Sequence, residues 1–373
     1  MIIAGEVSGD LHGASLIEEL KKLDENINIF GIGGDKMKAA GMNLIYHINK
    51  MAFLGFIEVI KHIPFIKKVQ RDLVAVIKGK NIKNVVLIDY PGFNLSIAKK
   101  LQAMNVNIIY YISPQIWAWG AGRINKIKKL VNKMLVVFPF EEDIYKKAGV
   151  DVEFVGHPLL ERINKYQFLD KQDLYKNFNL DENKELLLIL PGSRSHEVEK
   201  IFPEVIKAGE TLAAEFNLQV VVACSPNIEE GILGGLSQKK NYKIIKGYTY
   251  ELLKYAKLGI VKSGTSTLEA GLFELPMVIV YKTSYLTYLI GKNLVKVDSI
   301  GMANIISGEK LVPELIQSRV TEEALYKECK TILSDTGLYN NIKRKLQSIK
   351  EKLGTEGASK RAARVIYAAL NES

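Results

Sequence analysis

Short apolar runs alternate with segments of helical spacing along the first half of the chain. Apolar runs of this kind, ended by glycine or polar residues, are typical of buried β-strands. We place these strands at residues 2–4, 27–34, 84–89, 107–113 and 133–138. The helical segments between them are residues 11–23, 35–40, 65–78, 96–104, 123–130 and 141–148. This alternation predicts a parallel sheet that is covered by helices on both faces.

The same alternation returns in the second half, after a polar and charged stretch at residues 159–185. We expect its strands at residues 186–190, 219–223, 243–246, 258–261 and 276–281. The predicted fold class is therefore α/β, with two doubly wound Rossmann-like domains. Because ligands of such domains bind at the carboxyl ends of the strands, we expect the domains to face one another across a cleft.

The predicted domain boundaries follow the breaks in this pattern. Residues 1–165 form the first domain and residues 166–355 the second. The last segment, residues 356–373, is predicted to be a helix that follows a break at Gly354 and Gly357. Its pattern alone allows docking on either domain.

The composition is that of an ordinary globular protein, with 47% apolar and 25% charged residues. Lys and Arg number 51 and Asp and Glu 41, so the net charge of +10 favours nucleotides, polyanions or an anionic membrane surface as partners. We expect no nucleic acid partner, because the chain has neither a pair of RNA-binding aromatic strands nor a compact basic stripe.

The two cysteines, Cys224 and Cys329, have no Cys or His at metal-ligand spacing beside them. This favours a reduced, cytoplasmic setting and predicts no metal site. The sequence shows no signal-peptide pattern, and no apolar stretch reaches the roughly 18 residues that a membrane span requires. We therefore expect no segment that crosses a membrane.

The stretch LLLILPGSRSHEVEK, residues 186–200, combines a buried strand, a tight turn and the start of a helix. Gly192 breaks the strand, and Ser193 is expected to cap the helix. Free backbone N–H groups at a helix start bind anions, and Arg194 adds a cation with bidentate reach, so we interpret the turn as a phosphate site. The alternative is that Gly192 only makes the turn and Arg194 pairs with Glu197.

Two further loops are expected at the same sheet edge, KGYTYE at residues 246–251 and KSGTSTLEAG at residues 262–271. Glu269 lies about one turn inside the helix that follows the second loop, where a carboxylate can accept hydrogen bonds from a ribose. Its alternative role is a favourable charge near a helix start. The chain has no Walker A pattern and no clean GxGxxG after its first strand, which disfavours an ATPase or a dinucleotide dehydrogenase.

Candidate bases follow two strands of the first half. Glu6, Asp10 and His12 lie in or just after the loop EVSGDLHG, which also contains Ser8, and Asp89 ends the strand before PGFN. A carboxylate or imidazole at a strand's carboxyl end can take a proton from an attacking hydroxyl group. The alternatives are a helix cap for Asp10 and an Asx-turn for Asp89.

Residues 51–71 interleave apolar and basic side chains in the pattern of an interfacial amphipathic helix pair. The alternative is a core-packed helix hairpin broken at Pro64. The residues of this candidate membrane patch are Phe53, Phe56, Phe65, Lys67 and Lys68.

Both tryptophans, Trp117 and Trp119, lie in the loop SPQIWAWG at residues 113–120. Two tryptophans in one loop suggest a platform for sugar or acyl groups, of which we single out Trp117. The alternative is that they are packing anchors.

The motifs AGEVSGDLHGASLI, IDYPGFN, YYISPQIWAWG, FVGHPL, LPGSRSHEV and SGTSTLE occur in this order over nearly the whole chain. In this combination the chain resembles the lipid-A-disaccharide synthases, inverting glycosyltransferases with two Rossmann domains, a fold type called GT-B. The resemblance implies transfer of 2,3-diacylglucosamine from UDP to 2,3-diacylglucosamine 1-phosphate, with a β-1,6-linked disaccharide and UDP as products. It also implies that no metal or other cofactor takes part.

For the second domain, the resemblance implies UDP-sugar binding. Ser193 and Arg194 match the diphosphate-binding motif, and Arg194 also stabilises the charge of the leaving group. The residues that match the nucleotide and ribose contacts are Gly264, Thr265 and Glu269, and Asn304 lies in a matching loop.

For the first domain, the resemblance implies acceptor binding at a membrane surface. Asp89 matches the proposed catalytic base, and Asp10 would orient the acceptor or substitute as base. Ser8, His12 and Trp117 are further candidate substrate contacts. The implied location is the cytoplasm, with peripheral association to the anionic inner face of the cytoplasmic membrane, and the last helix would cross back to the first domain.

Two other functions stay open on the sequence. The first is another UDP-N-acetylglucosamine enzyme of the GT-B type, either a 2-epimerase or the peptidoglycan glycosyltransferase. The second is a non-catalytic module that binds a nucleotide sugar at the membrane. The sequence does not determine the oligomeric state.

Overall fold

The computed structural model of the chain describes residues 1–51, 62–117, 122–225, 228, 230–236, 241–283 and 299–371. The chain forms two compact units. The first consists of residues 1–161 and 353–373, and the second of residues 162–352.

The first unit is built on a parallel sheet, to which the described residues contribute seven strands. These are β1 (Ile2–Ala4), β2 (Phe30–Gly33), β3 (Asn43–His47), β4 (Asn84–Ile88), β5 (Asn107–Tyr111), β6 (Lys133–Val136) and β7 (Val152–Phe154). They lie in the order β3-β2-β1-β4-β5-β6-β7. The central strands β1 and β4 are buried along their whole length, because helices cover both faces of the sheet.

The strand order of this sheet reverses between β1 and β4, and polar loops follow both strands there. The helices of the first half are α1 (Val7–Leu23), α2 (Asp35–Ala39), α3 (Ile63–Gly79), α4 (Pro91–Gln102), α5 (Arg123–Leu130), α6 (Pro139–Lys147) and α7 (Pro158–Asn164), with a short 3₁₀ helix at Ile48–Lys50. In open α/β folds a switch point of this kind is where ligands bind, so these loops are the first place to look for a site.

The second unit has a parallel sheet of the same type, with six strands among the described residues. These are β8 (Glu185–Leu190), β9 (Leu218–Cys224), β10 (Tyr242–Lys246), β11 (Ala256–Lys262), β12 (Met277–Tyr281) and β13 (Glu314–Ile316). They lie in the order β10-β9-β8-β11-β12-β13, so the order reverses between β8 and β11.

Helices connect these strands. They are α8 (Lys171–Asn177), α9 (Ser195–Glu215), α10 (Glu230–Gly235), α11 (Thr249–Tyr255), α12 (Thr265–Leu272), α13 (Met302–Ser307), α14 (Glu322–Ser334) and α15 (Thr336–Lys352), with a 3₁₀ helix at Gln317–Arg319. The last helix, α16 (Ala358–Asn371), belongs to the first unit and packs against α1. Ala362 and Ala363 are fully buried in α16, and small side chains of this kind let two helix backbones approach closely.

The prediction of two doubly wound α/β units is confirmed. Three short strands, β3, β7 and β13, were not predicted. Two helices also begin earlier than predicted, α1 at Val7 by four residues and α4 at Pro91 by five. None of the helices in the described ranges is long and apolar enough to span a bilayer.

Candidate active site

The turn between β4 and α4 holds Asp89 in an unusual backbone conformation. Asp89 and Tyr90 have φ angles of 44° and 46°, in the left-handed region that residues other than glycine rarely adopt. Two consecutive residues of this kind cost of order 1–3 kcal/mol each, and such strain is found mostly at functional sites. Pro91 then begins α4, because its fixed φ suits the first helical position.

Buried hydrogen bonds hold this strained turn. The amide of Asn94 donates to the carbonyl oxygens of Ile88 and Asp89, at 3.1 and 2.7 Å. The hydroxyl of Tyr110 donates to the Asp89 carbonyl at 2.5 Å, and the Asp89 N–H donates to the Tyr111 carbonyl at 3.1 Å. Since Asn94 and Tyr110 are fully buried, the backbone of the turn is held by groups of the protein interior.

The Asp89 side chain is half-buried. Burial, together with a smaller contribution from the negative charge of Glu6, raises the pKa of its carboxyl group from 3.8 to about 6. Glu6 itself is exposed in the loop after β1. A carboxylate whose pKa lies near neutrality can both accept a proton and release it, which is the property of a general base.

The loop after β1 lies directly against this turn. A Cβ atom at Gly5 would overlap the ring of Tyr90, so glycine is needed there. The Tyr90 hydroxyl donates to the Met51 carbonyl at 3.1 Å, which fixes the ring. The loop that carries Glu6 is thus fixed next to the Asp89 turn.

Asp10 has a different environment from that expected of a base. Its carboxylate is buried and accepts the backbone N–H groups of Gly34, Lys36 and Met37, at 2.7, 3.1 and 3.0 Å. These are the N–H groups at the start of α2, so Asp10 joins α1 to that helix. Asp10 thus caps the start of α2. That it orients the acceptor or substitutes as base stays a prediction.

The other candidate residues of the first unit differ in exposure. Ser8 is exposed in the first turn of α1, and His12 is half-buried one turn further on. The indole N–H of Trp117 donates to Glu141 Oε1 at 3.0 Å, and its ring packs edge-on against Phe140. These contacts are those of a packing anchor, while the platform role of Trp117 stays a prediction.

The carboxyl group that Trp117 contacts is itself buried. Glu141 also accepts the Ser113 hydroxyl at 2.7 Å, and burial raises its pKa to about 7. It thereby fixes the loop after β5. Trp119 lies outside the described residues.

The candidate membrane patch is described only in part, because Phe53 and Phe56 lie outside the described residues. Phe65 is half-buried and packs edge-on against Tyr46, with 6.0 Å between the ring centroids. Lys67 and Lys68 are exposed on α3.

In the second unit, the turn after β8 is open to solvent. Gly192 has a φ of +128°, and Ser193 and Arg194 are exposed. The residue at the N-cap position of α9 is Arg194, and no side chain caps the helix. The prediction that Ser193 caps this helix is therefore wrong. The first N–H groups of α9 lack a side-chain cap, which suits an anion site.

Arg194 also makes the ion pair that the alternative interpretation expected. Its Nη1 lies 3.5 Å from Glu197 Oε1, but its side chain stays 56% exposed. The same oxygen accepts a shorter hydrogen bond, of 2.8 Å, from Lys262 Nζ at the end of β11. Because Lys262 makes the shorter bond to this oxygen, the long contact leaves the Arg194 guanidinium available to a ligand.

The turn after β11 has the same character. Gly264 has a φ of +149° and stands at the N-cap of α12, with open space where a Cβ atom would lie. Thr265 is exposed beside it, whereas the Thr267 hydroxyl is buried and donates to the Gly264 carbonyl at 2.8 Å. Gly264 and Thr265 therefore present backbone and hydroxyl groups to solvent.

Glu269 lies on α12 and is largely buried. Arg162 Nη2 donates to its Oε1 at 2.9 Å, and the Tyr250 hydroxyl donates to the same oxygen at 3.4 Å. Burial raises the pKa of Glu269, and the Arg162 charge opposes this shift. Glu269 is thus held in one orientation, with both hydrogen bonds on one oxygen.

Asn304 is a structural residue in this unit. Its amide nitrogen donates to the Val312 carbonyl at 2.9 Å and to Glu314 Oε1 at 2.8 Å, and its oxygen accepts the Val312 N–H at 3.0 Å. These bonds use both polar atoms of a buried side chain, and the contact of Asn304 with UDP stays a prediction.

The sequence interpretation missed residues that support these sites. Asn94 and Tyr110 hold the Asp89 turn, and Lys262 and Arg162 pair with acidic residues of the second unit. Lys262 could have been found, since it directly precedes the SGTST turn. The described residues contain no group of three or more His, Cys, Asp or Glu side chains that could hold a metal ion.

Known proteins resemble the chain in sequence and in fold. The family model described as lipid-A-disaccharide synthetase matches residues 1–368. The lipid-A-disaccharide synthase of Geobacter sulfurreducens is 38% identical over 375 residues, which cover 100% of this chain and 97% of that protein.

Solved structures with low sequence identity share the fold. The UDP-GlcNAc 2-epimerase from Neisseria meningitidis, bound to UDP-GlcNAc, has a TM-score of 0.67 at 13% identity, and the match covers 100% of this chain and 99% of that one. The calicheamicin glycosyltransferase has a TM-score of 0.60 at 14% identity, with 99% and 97% covered. At such identities these two neighbours establish the fold alone. The match to the family model and the identity to the Geobacter sulfurreducens protein, both over nearly the whole length, show that the chain belongs to the lipid-A-disaccharide synthetase family.

Proposed function

We propose that the protein is a glycosyltransferase that transfers 2,3-diacylglucosamine from its UDP derivative to 2,3-diacylglucosamine 1-phosphate. The products are the β-1,6-linked disaccharide and UDP. Membership of the lipid-A-disaccharide synthetase family supports this reaction. The observation that carries the proposal is the Asp89 carboxyl group at the carboxyl end of β4, because its pKa of about 6 suits a base at neutral pH.

In the proposed reaction, Asp89 takes the proton of the acceptor's 6-hydroxyl group while the hydroxyl oxygen attacks the anomeric carbon of the donor. The new bond forms on the face opposite UDP, and the bond from the anomeric carbon to the diphosphate breaks. The electron pair of the broken bond leaves with UDP. Because the attack comes from the opposite face, the configuration at the anomeric carbon is inverted. The strained turn serves this step by fixing the backbone from which the Asp89 side chain extends.

The proposal assigns the donor to the second unit. The uncapped start of α9 and the exposed Arg194 bind the diphosphate, and Ser193, Gly264 and Thr265 add donors around it. Glu269 accepts a ribose hydroxyl. These cationic and backbone donors stabilise the charge of the leaving UDP, so the proposed mechanism uses no metal and no other cofactor.

The proposal assigns the acceptor to the first unit and places its acyl chains at an anionic membrane surface. A groove of about 680 Å³ between α3 and α4 supports this assignment. It combines apolar and basic side chains, which suit acyl chains and anionic headgroups respectively. The residues that line it are Ile63, Pro64, Ile66, Lys67, Gln70, Arg71, Ser96 and Lys100.

The membrane assignment is tested by sedimentation with vesicles that contain anionic phospholipid. The double charge reversal Lys67→Glu with Lys68→Glu is expected to reduce vesicle binding, since each lysine contributes about 1 kcal/mol near an anionic surface. The matched control reverses Lys343 and Lys350, which are equally exposed on α15 of the second unit. Equal vesicle binding by the two double variants would contradict the membrane assignment.

The reaction itself is tested by incubating the protein with UDP-2,3-diacylglucosamine and 2,3-diacylglucosamine 1-phosphate, with mass spectrometry of the lipid fraction. We expect a disaccharide phosphate and one UDP per disaccharide. A 2-epimerase would instead change the donor without needing the acceptor. A non-catalytic binding module would bind the donor and form no product.

A further inference from the structure

We propose that Lys262 is a further diphosphate-binding residue, and that Glu197 is the positioning residue that holds the Lys262 ammonium group in place. This inference deepens the proposed function and rests on it, since the anion concerned is the diphosphate of a UDP-sugar.

Lys262 lies beside the turn that carries Arg194. In the parallel pairing of β8 with β11, Val261 is opposite Leu190, the last residue of β8. Lys262 therefore stands where the chain of β8 turns into PGSR. Its Cδ atom lies 3.8 Å from the position that a Cβ atom of Gly192 would occupy, so the lysine stem runs along the glycine turn.

Lys262 also directly precedes the second anion-binding turn. The next residues are Ser263 and Gly264, and α12 begins at Thr265. Lys262 thus lies next to both turns that we assign to the diphosphate. Arg194 is the more exposed cation, at 56% side-chain exposure against 17% for Lys262.

A largely buried ammonium group needs a partner, because an unpaired buried charge is costly. Glu197 Oε1 is that partner, at 2.8 Å, and the ring of Tyr281 lies 5.7 Å from Nζ. An ammonium group has three N–H donors, and within the described ranges Glu197 is the one acceptor of Lys262. Donors of Lys262 therefore remain for an oxygen of a ligand.

Glu197 is placed to hold the cations without blocking them. Lys262 and Arg194 both approach its Oε1. Its Oε2 is buried, has no hydrogen-bond partner in the described part of the chain, and lies 3.0 Å from the position of a Gly192 Cβ atom. The carboxylate thus lies against the glycine turn, while the Arg194 side chain stays 56% exposed and the Lys262 side chain 17% exposed to a ligand.

The test compares the affinities for UDP and for uridine by calorimetry. Lys262→Met is expected to weaken UDP binding about tenfold to hundredfold, the usual effect of a lost charge-assisted hydrogen bond, and to leave uridine binding unchanged. This variant leaves the Glu197 carboxylate without its ammonium partner. The double variant Lys262→Met with Glu197→Gln is therefore measured beside it and should show the same loss of UDP affinity with unchanged uridine affinity. The matched control is Lys243→Met, an exposed lysine in β10, which should bind UDP as the wild type does.

The positioning role of Glu197 is tested by two replacements. Glu197→Gln keeps an oxygen for the Lys262 ammonium group, so UDP affinity should stay within about threefold of wild type. Glu197→Ala removes the acceptor and should weaken UDP binding by about tenfold, with uridine binding retained. An equal loss in both variants would overturn the positioning role.

The outcomes separate this inference from the proposed function. If the wild type binds UDP and the Lys262 double variant binds it equally well, or loses uridine and UDP affinity in parallel, the role of Lys262 is overturned while the UDP site stands. If the wild type binds no UDP, both fail.

Discussion

Asp89 and Arg194 each follow a buried parallel strand and precede a helix, yet their turns differ in backbone, burial and support. Asp89 lies in a left-handed turn of two residues that are not glycine, and buried Asn94 and Tyr110 hold that turn. Arg194 follows a glycine turn, is exposed, and has one long contact to Glu197.

This difference follows from the chemistry that each turn would serve. A carboxylate base works near neutral pH if partial burial raises its pKa and its orientation is fixed. An anion site needs free N–H groups and cations that a ligand can reach. The same strand-turn-helix unit thus gives two kinds of site, and the surroundings of the turn decide which one.

The largest expected effect is on turnover. Asp89→Asn removes the base but suits the left-handed backbone, so disaccharide formation should fall about 10³-fold while the UDP affinity stays within a few fold. The control is Asp143→Asn, an exposed residue of α6 that should leave both quantities unchanged. Near-normal turnover of Asp89→Asn would remove Asp89 from the role of base.

The second effect is on donor binding. Arg194→Ala should weaken UDP binding by at least about tenfold, because it removes charge-assisted hydrogen bonds to the diphosphate. Lys262 keeps its hydrogen bond to Glu197 Oε1 in this variant, so the fold should be retained. Calorimetry with Arg194→Ala and with Arg344→Ala, an exposed control on α15, measures this effect. Equal UDP affinities would contradict the phosphate site.

The third effect is on stability. Because burial and, to a smaller extent, the Glu6 charge raise the pKa of Asp89 from 3.8 to about 6, the folded state favours the protonated carboxyl group. This contribution to stability is present at low pH and is lost as the pH rises through about 6. In urea denaturation at about pH 8, the free energy of unfolding of Asp89→Asn should therefore exceed that of the wild type by of order 2 kcal/mol. At about pH 4 the difference should be smaller. A difference that does not depend on pH would contradict the raised pKa.

The smallest effect comes from the neighbouring charge. Glu6→Gln removes a negative charge that helps to raise the pKa of Asp89, although burial is the larger cause. The acid limb of the pH–rate profile should move to lower pH by a fraction of a unit. Glu142→Gln, on α6, should leave the limb in place. A shift to higher pH would show that Glu6 acts on Asp89 by another route.

The sequence predicts the interior of both sheets and misses part of their edges. Strands such as β4 and β8 are continuous apolar runs, because both of their faces are buried. The three strands that were not predicted, β3, β7 and β13, are all edge strands, and they are short and only partly buried. Without a continuous apolar run, such strands resemble loops.

The candidate site shows the same limit for side chains. Asp89 and Arg194 were predicted because each stands at a strand end. Asp10 and Asn304 were also predicted as site residues. In the structure their side chains accept hydrogen bonds from backbone N–H groups elsewhere in the fold. Such contacts join residues that are distant along the chain or depend on an exact turn, so periodicity and spacing do not predict them.

In the proposed mechanism Asp89, whose pKa is raised chiefly by burial, takes the proton of the acceptor. The pH dependence of kcat/KM for disaccharide formation tests it most directly, because this profile reports ionisations of the free enzyme. We expect a rate that rises with unit slope and levels off above a pKa of about 6. A profile that stays flat between about pH 5 and pH 8 would contradict it.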